Sequence, residues 1–282
     1  MRLARMGDPG EEIPIASGPS GTWHDIRSVV ADIDGSTLSE HVDRIEAALA
    51  TGELPEVSPE RRWGPPLARV GKVVCIGLNY RDHAAEVGAS LPDEPIVFLK
   101  TPDTIVGADD TVLIPHRSTS TDWEVELAVV IGAQARYLGS VEDAAPCIAG
   151  YAISNDVSER EFQLERGGTW DKGKNCETFN PLGPWITTAD QVPDPQALRL
   201  RLSVNDQLRQ DGSTSDMIFP VDYLVWYVSQ FLVLRPGDII NTGTPAGVAS
   251  GRPDTPYLRH GDLVSASIDG LGTQRSRFED AP

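Results

Sequence analysis

Apolar and polar positions alternate over short stretches in most of the chain, which is the pattern of β-strands rather than of long helices. The alternation is dense from residue 67 onward, where Asn205-Asp206 is typical of a hairpin turn between two such stretches. Strands are predicted at 72–77, 95–100, 111–115, 123–130 and 198–204, with two more at 262–277 around a glycine-rich turn. Few helices separate them, which disfavours a doubly wound α/β sheet and favours a β-sandwich, roll or barrel-like domain.

The first 65 residues differ and are predicted to form a small N-terminal α/β domain. Thr37 and Glu40 form a capping-box signature, and Gly52 ends the helix predicted after them. The short apolar runs before that helix predict two or three strands. A proline-rich stretch at 54–66 resembles a connector, so we expect an accessory domain at 1–65 and a main domain at 66–282.

Short helices are expected at three places in the main domain. Residues 79–86 are predicted to form a helical or lid-like segment, and 158–166 one short helix. Asp222 is predicted to cap a further helix with an apolar side.

Net charge narrows the range of partners. The 282 residues carry a formal net charge of −18, which disfavours binding to nucleic acid or to an anionic membrane surface. The three cysteines show no paired spacing, so neither a disulfide framework nor a zinc cluster is predicted. No stretch is long and apolar enough for a membrane span. We expect a soluble protein of the reduced cytoplasm.

Three carboxylates are candidates for a metal site. Glu124 and Glu126 occupy alternate positions of a predicted strand, so they share a face roughly 7 Å apart. Asp156 follows a second apolar segment. An oxygen-only ligand set suits Mg²⁺, with Mn²⁺ or Ca²⁺ as alternatives, rather than Zn²⁺. The competing interpretation is a solvated edge strand with two surface glutamates.

A histidine and a glutamate three residues apart are candidates for acid–base chemistry. On a helix, His83 and Glu86 share a face, and a carboxylate beside an imidazole fixes its tautomer and raises its basicity. Such a pair is able to activate water as a general base. An exposed polar helix face is the alternative.

Further polar residues are candidates for substrate contacts. Arg160 and Gln163 are three residues apart, suited to holding a carboxylate or keto oxygen, unless they lie on a surface helix. Lys174, in a glycine-flanked loop, is a candidate for stabilising an oxyanion, with a solvated lysine as the alternative. The Thr242–Pro245 turn, which includes Thr244, resembles a cradle of backbone amides for an anion.

Taken in order, these motifs resemble the fumarylacetoacetate hydrolase family over residues 66–278. The resemblance rests on Gly77-Leu78-Asn79-Tyr80 with His83 and Glu86, Asp122-x-Glu124-x-Glu126-Leu127, Asn155-Asp156-Val157-Ser158-x-Arg160, Lys174, and Thr242-Gly243-Thr244-Pro245-x-Gly247. It implies an α+β, mainly β fold: a mixed β-sandwich roll that is usually homodimeric.

The resemblance also implies roles for the candidate residues. Glu124, Glu126 and Asp156 would bind Mg²⁺ or Mn²⁺, and His83 with Glu86 would activate water on a lid. Lys174 would stabilise an oxyanion, and Arg160, Gln163 and Thr244 would contact substrate.

The implied reaction is hydrolysis of the C–C bond of a 2,4-diketo acid. The runs at 165–174 and 257–272 look most like a bacterial branch acting on 2,4-diketo-3-deoxy sugar acids of the rhamnonate or fuconate type, whose members are often labelled ureidoglycolate lyase. Close relatives instead split acylpyruvates, decarboxylate or tautomerise oxaloacetate, or isomerise keto acids. A non-catalytic keto-acid-binding protein is a further alternative.

Overall fold

The computed structural model describes all residues, 1–282, and begins with a strand-rich segment that contains two helices. Its elements are β1 (Arg2–Met6), β2 (Ile13–Ser17), β3 (Trp23–Asp25), α1 (Gly35–Glu40), α2 (Val42–Thr51) and β4 (Glu56–Val57). The middle of the chain contains β5 (Val73–Gly77), α3 (Arg81–Glu86), β6 (Ile96–Lys100), β7 (Ile105–Val106), β8 (Val112–Ile114), β9 (Thr121–Asp122), β10 (Val125–Ile131), β11 (Ile148–Asn155), β12 (Ser158–Glu159), α4 (Arg160–Leu164), α5 (Asp171–Lys174), β13 (Asn180–Pro181) and β14 (Ile186–Thr188).

The last third of the chain is also mainly β. It contains β15 (Arg199–Val204), β16 (Gln207–Ser213), α6 (Val221–Ser229), β17 (Ile239–Asn241), β18 (Leu263–Ile268) and β19 (Gly272–Asp280). Single 3₁₀ turns occur at Pro102–Thr104, Val141–Asp143, Ala145–Cys147, Ala189–Gln191, Thr214–Asp216 and Ala249–Gly251. The α+β, mainly β prediction is therefore confirmed.

Two sheets organise the molecule. Ten strands lie in the order β4-β3-β2-β1-β14-β11-β10-β17-β5-β6, and five lie in the order β16-β15-β18-β19-β8. Two-stranded pairings join β12 to β9 and β13 to β7. Both large sheets are open and mix parallel with antiparallel pairs, so the architecture is a sandwich-like roll and not a closed barrel.

Strand β10 lies between two apolar cores because its side chains alternate in direction. Leu127 and Val129 belong to the larger core, shared with the five-stranded sheet through residues such as Leu202. Ala128 and Val130 belong to a second core on the opposite face. A strand buried on both faces is nearly continuous in hydrophobicity, which is why residues 127–131 read as an unbroken apolar run.

The N-terminal strands continue the ten-stranded sheet. Arg2 of β1 pairs with Thr187 of β14, and the second core combines Ile45 of α2 with Val73 of β5. Residues from before and after position 65 thus share one sheet and one core. The division into domains at 1–65 and 66–282 stays a prediction.

Two predicted helix caps are wrong. Asp34, rather than Thr37, caps α1, accepting hydrogen bonds from the amides of Ser36 (2.9 Å) and Thr37 (3.1 Å). Asp222 lies in the first turn of α6 without capping it, because the Val221 amide donates to Oε1 of the distant Gln196 (2.8 Å). A sequence signature near the start of a helix does not reveal a hydrogen-bond partner that comes from a distant loop.

Two predicted helices have different bounds. The single helix predicted before Gly52 is instead two helices, α1 and α2, that meet at His41, and Gly52 ends the second with a φ of 71°. The helix predicted at 158–166 begins only at Arg160, because Ser158 and Glu159 pair with β9. None of the helices is both long and apolar enough to cross a membrane.

Candidate active site

Three buried carboxylates meet where strands β10 and β11 lie side by side. Glu126 lies in β10, Glu124 immediately before it and Asp156 immediately after β11. The Asp156 amide donates to the Glu124 carbonyl (2.9 Å), and the Glu124 amide donates to Oδ1 of Asn155 (3.0 Å). One ligand oxygen from each carboxylate lies within 4.8 Å of those of the others. The backbone thus brings all three predicted metal ligands together, and the surface-strand alternative does not hold.

Two buried lysines pair with this cluster. Lys174 Nζ lies 2.6 Å from Glu124 Oε2 and 2.9 Å from Asp156 Oδ2. Lys100 Nζ, at the end of β6, lies 2.5 Å from the other oxygen of Asp156. Burial opposes the charge on Lys174, but the nearby carboxylates outweigh it and raise its pKa. Lys174 is therefore a charged group in the cluster and not a solvated lysine.

Glu126 differs from its two neighbours because it forms no salt bridge. Its Oε2 accepts one hydrogen bond, from the Gly243 amide (2.8 Å). Burial, together with the charges of Asp156 and Glu124, raises the pKa of Glu126 well above its usual range. Burial also opposes ionisation of Glu124, but Lys174 and Arg160 outweigh it and lower the pKa of Glu124.

The donor set fits a hard divalent cation. Its three carboxylates supply only oxygen, and Glu126 keeps one oxygen without a protein partner. A cation held between them would offset the repulsion that disfavours ionised Glu126. The Glu124–Glu126–Asp156 cluster is therefore the candidate divalent-metal site of the chain.

His83 and Glu86 form a pair on α3. His83 Nδ1 lies 3.2 Å from Glu86 Oε2, and both side chains are largely buried, which rules out the exposed helix face. Glu86 is itself held by the Gly247 amide (2.9 Å) and by Arg252 Nε (2.9 Å). Burial opposes ionisation of Glu86, but the hydrogen bonds from His83, Gly247 and Arg252 lower its pKa. With Nδ1 occupied, Nε2 is the free ring nitrogen of His83.

Arg160 and Gln163 lie on α4, buried rather than on the surface. Arg160 pairs with Glu124 Oε1 (2.7 Å) and with Asp122 Oδ2 (2.8 Å), and it donates to Gln163 Oε1 (3.0 Å). Burial opposes its charge, but the two carboxylates outweigh it and raise its pKa.

Thr244 follows β17 and is also buried. Its hydroxyl donates to the Val125 carbonyl (2.9 Å) and accepts from Gln210 Nε2 (2.7 Å). Both hydroxyl interactions are internal to the protein. A contact between Thr244 and a ligand would therefore use its backbone, in keeping with the predicted amide cradle.

One cavity of about 290 Å³ is lined by every predicted site residue except Glu86 and Asp156. Those two lie behind the wall, where Glu86 contacts His83 and Asp156 contacts Lys174. Phe98 and Trp170 also line this cavity. A water-activating pair and a metal cluster therefore face a common space large enough for a small molecule.

Three residues that support the site have no predicted role, although Asp122 belongs to one of the sequence motifs. Lys100 braces Asp156, Asp122 braces Arg160, and Gln210 braces Thr244. Lys100 carried a usable signal, since it shares one face of the predicted strand at 95–100 with Ile96 and Phe98. The supporting roles of the other two are recognisable only once β9 and β16 are placed in space.

Comparison with known proteins agrees with this geometry. The sequence profile of the fumarylacetoacetate (FAA) hydrolase C-terminal family matches residues 72–279. A protein of Burkholderia multivorans that carries only a general hydrolase name is 48% identical over 275 residues, which is 97% of each chain.

Two solved structures resemble the whole chain. Maleylpyruvate hydrolase from Sphingobium sp. SYK-6, solved in complex with manganese(II) ion and pyruvate, is 28% identical with a TM-score of 0.83, covering 100% of both chains. 5-Carboxymethyl-2-hydroxymuconate delta-isomerase from Mycobacterium smegmatis is 31% identical with a TM-score of 0.77, again over 100% of both chains. Profile, relatives and fold agree, and this chain is an enzyme that belongs to the fumarylacetoacetate hydrolase family.

Proposed function

We propose that this enzyme hydrolyses the C–C bond of a 2,4-diketo acid, an acylpyruvate or a 2,4-diketo-3-deoxy sugar acid, to pyruvate or a related keto acid and a carboxylic acid. The observation that carries the proposal is the shared cavity: His83, held by Glu86, and the Glu124–Glu126–Asp156 cluster line or border the same space. The manganese and pyruvate in the maleylpyruvate hydrolase structure support this reading by similarity.

In the proposed mechanism, Arg160, Gln163 and the backbone around Thr244 bind the carboxylate and the adjacent keto oxygen of the substrate. Nε2 of His83 removes a proton from water, and Glu86 stabilises the imidazolium that forms. The hydroxide adds to C4, where Lys174 stabilises the oxyanion. The C3–C4 bond then breaks, its electron pair stays on the pyruvate fragment, and the proton held by His83 is returned to C3.

We propose Mg²⁺ or Mn²⁺ as the ion held by Glu124, Glu126 and Asp156. When bound, a divalent cation would supply positive charge beside the substrate's keto acid group. The all-oxygen donor set supports either ion.

The alternative is a reaction without an attacking water, such as oxaloacetate decarboxylation or tautomerisation, or keto-acid isomerisation. The similarity to a delta-isomerase supports this alternative. It would use the carboxylate cluster and Arg160 but would not require His83 to remove a proton from water.

Product analysis with Mg²⁺, with Mn²⁺ and with EDTA distinguishes these reactions. The panel contains acylpyruvates, a 2,4-diketo-3-deoxy sugar acid and oxaloacetate. We expect cation-dependent release of equal amounts of pyruvate and a carboxylic acid from a diketo acid. Turnover of oxaloacetate alone would overturn the hydrolase proposal, and ligand-dependent stabilisation without any product would indicate a binding protein.

We also propose a homodimer that forms through the apolar patch of Val97, Leu99 and Phe231. Val97 and Leu99 lie in edge strand β6 and are 38% and 43% exposed, and Phe231 is 66% exposed. The net charge of −18 makes two copies of the chain repel each other. A two-fold axis at the uncharged patch would place the patch of one copy against the same patch of the other. Sedimentation should show a dimer that Leu99→Glu with Phe231→Glu dissociates, and a wild-type monomer would contradict the proposal.

We place the enzyme in the cytoplasm as a further proposal. Cys75, Cys147 and Cys176 are all free thiols, which supports a reducing compartment. Fractionation of cells that express the chain would test it, and recovery from an oxidising compartment would contradict it.

A further inference from the structure

The cavity has an aromatic wall beside its charged end, formed by Phe98 and Trp170. The two rings lie edge to face, with centroids 5.4 Å apart and planes inclined by 71°. Lys174 Nζ lies 5.2 Å from the centroid of the Phe98 ring. The aromatic wall therefore begins directly next to Lys174, the residue proposed to stabilise the oxyanion at C4.

Gly77, at the end of β5, makes room for this wall. A Cβ atom at position 77 would lie 2.3 Å from Cζ3 of Trp170, closer than any packed contact. The indole can lie against the strand only because residue 77 has no side chain. The position of Trp170 is thus set by a close approach to the backbone and by Phe98.

Apolar side chains also surround the mouth of the cavity. Val87, Ile96 and Leu164 line it and are 43%, 37% and 58% exposed. They come from three different segments: the end of α3, strand β6 and the end of α4. Exposed apolar residues grouped around an opening mark a surface that an apolar ligand would cover.

Polar partners for a hydroxylated tail are few. The Thr244 hydroxyl is committed to Val125 and Gln210, and Gln163 Oε1 accepts from Arg160. Among neutral hydroxyl side chains that line the cavity, only Ser250 is free of a side-chain hydrogen bond. The hydroxyl groups of a sugar acid would lose water and gain few partners on entering this space.

We propose that the acyl tail of the substrate is apolar or aromatic and packs against Phe98 and Trp170, so that acylpyruvates are preferred over polyhydroxylated 2,4-diketo acids. This inference rests on the proposed function and specifies its substrate class. An apolar pocket discriminates by about 10²-fold per well-placed group. We expect kcat/KM to rise as the acyl tail lengthens from acetyl to hexanoyl or benzoyl, and a sugar-acid substrate to be at least about 10²-fold poorer than the best acylpyruvate.

The variant Trp170→Ala tests the assignment to the aromatic wall. It should flatten the rise of kcat/KM with tail length, lowering the ratio of the longest-tail value to the acetylpyruvate value by about 10-fold or more. Phe98→Leu gives a second, smaller change in packing. Tyr137→Ala is the matched control, since that aromatic residue is 65% exposed and does not line the cavity.

Calorimetric binding of unreactive keto acids, with Mn²⁺ present, separates this inference from the proposed hydrolysis. Straight-chain 2-keto acids of increasing length should bind more tightly with each methylene, even if no diketo acid is cleaved. A polyhydroxylated 2-keto acid that bound as tightly as the longest alkyl one, or a length dependence unchanged in Trp170→Ala, would overturn the proposed tail specificity. Absence of cleavage with intact length dependence would overturn only the hydrolase proposal.

Discussion

The two halves of the candidate active site are built in different ways. The carboxylate cluster lies on β10 and β11, which are paired through seven residues and have further strands on either side. The His83–Glu86 pair lies on α3, a helix of six residues. Glu86 accepts hydrogen bonds from the Arg252 side chain and the Gly247 amide, and the Asp82 amide donates to the side chain of Asp216. The carboxylate cluster is therefore held by a buried sheet, whereas the facing helix α3 is held by individual polar contacts.

This difference indicates which part of the site is fixed in position and which part is able to move. Repositioning Glu124, Glu126 or Asp156 would require breaking a sheet buried on both faces. Repositioning His83 with α3 would require breaking individual hydrogen bonds and an ion pair, such as those of Glu86 with Gly247 and Arg252, some of them partly solvated. We therefore expect substitutions in the carboxylate cluster to weaken metal binding. Substitutions around α3 should instead slow the step in which water is activated.

Glu126→Gln should have the largest effect. It removes the charge of the one carboxylate in the cluster that forms no salt bridge, so cation binding should be lost and activity should fall by about 10³-fold or more. Calorimetric titration with Mn²⁺ measures the first effect. Glu12→Gln, which changes a partly buried ion pair with Arg62 instead, should leave Mn²⁺ binding intact. Unchanged Mn²⁺ binding in Glu126→Gln would mean that Glu126 is not a metal ligand.

His83→Ala should slow hydrolysis of a diketo acid by about 10²- to 10⁴-fold without changing Mn²⁺ affinity. The imidazole faces the cavity but pairs with Glu86 and not with the cluster. Any decarboxylation of oxaloacetate should be affected much less. The comparison requires both rates in one preparation, with His24→Ala as a control remote from the cavity. Equal losses in both reactions would mean that His83 is not specific to water activation.

Lys100→Met should weaken Mn²⁺ binding by about 10- to 100-fold, because Lys100 orients Asp156 from behind. Unfolding free energy should also fall, by about 3–5 kcal/mol, since a buried carboxylate loses a partner. Lys72→Met is the matched control: it removes the Lys72–Asp238 ion pair elsewhere and should lower stability without altering Mn²⁺ affinity. Equal Mn²⁺ affinity in the two variants would make Lys100 purely structural.

Arg252→Ala should have the smallest effect, a loss of a few-fold in diketo acid hydrolysis. The Arg252 side chain is 48% exposed, and two hydrogen bonds from the Gly247 amide still hold Glu86. Steady-state kinetics should show a change in kcat with little change in Mn²⁺ affinity. Arg199→Ala, a partly exposed arginine paired with Asp211, should leave hydrolysis unaffected.

The sequence predicts the residues that carry the chemistry of this site better than it predicts the residues that hold them in place. Alternation in β10 is enough to place Glu124 and Glu126 on one side and Leu127 in the core, since a strand has a fixed period of two. Order along the chain is enough to group His83, Lys174 and Arg160 by resemblance. Gln210 is different, because its role depends on which strands become neighbours in space.

The helix ends show the same limit. Gly52 was recognisable because a left-handed C-terminal residue is a local requirement. The start of α6 was not, because its first amide is satisfied by Gln196, a residue 25 positions away. Local sequence therefore predicts strands, turns and catalytic motifs, whereas the contacts that hold them together emerge from tertiary packing.

The most direct test of the central claim is hydrolysis of an acylpyruvate in ¹⁸O-labelled water, followed by mass spectrometry of the products before the keto oxygens exchange. Attack of a water activated by His83 at C4 predicts one labelled oxygen in the carboxylic acid product, formed together with an equal amount of pyruvate. Both signals should vanish with EDTA and return with Mn²⁺. An unlabelled acid, or an isomerised diketo acid with no cleavage, would contradict the account.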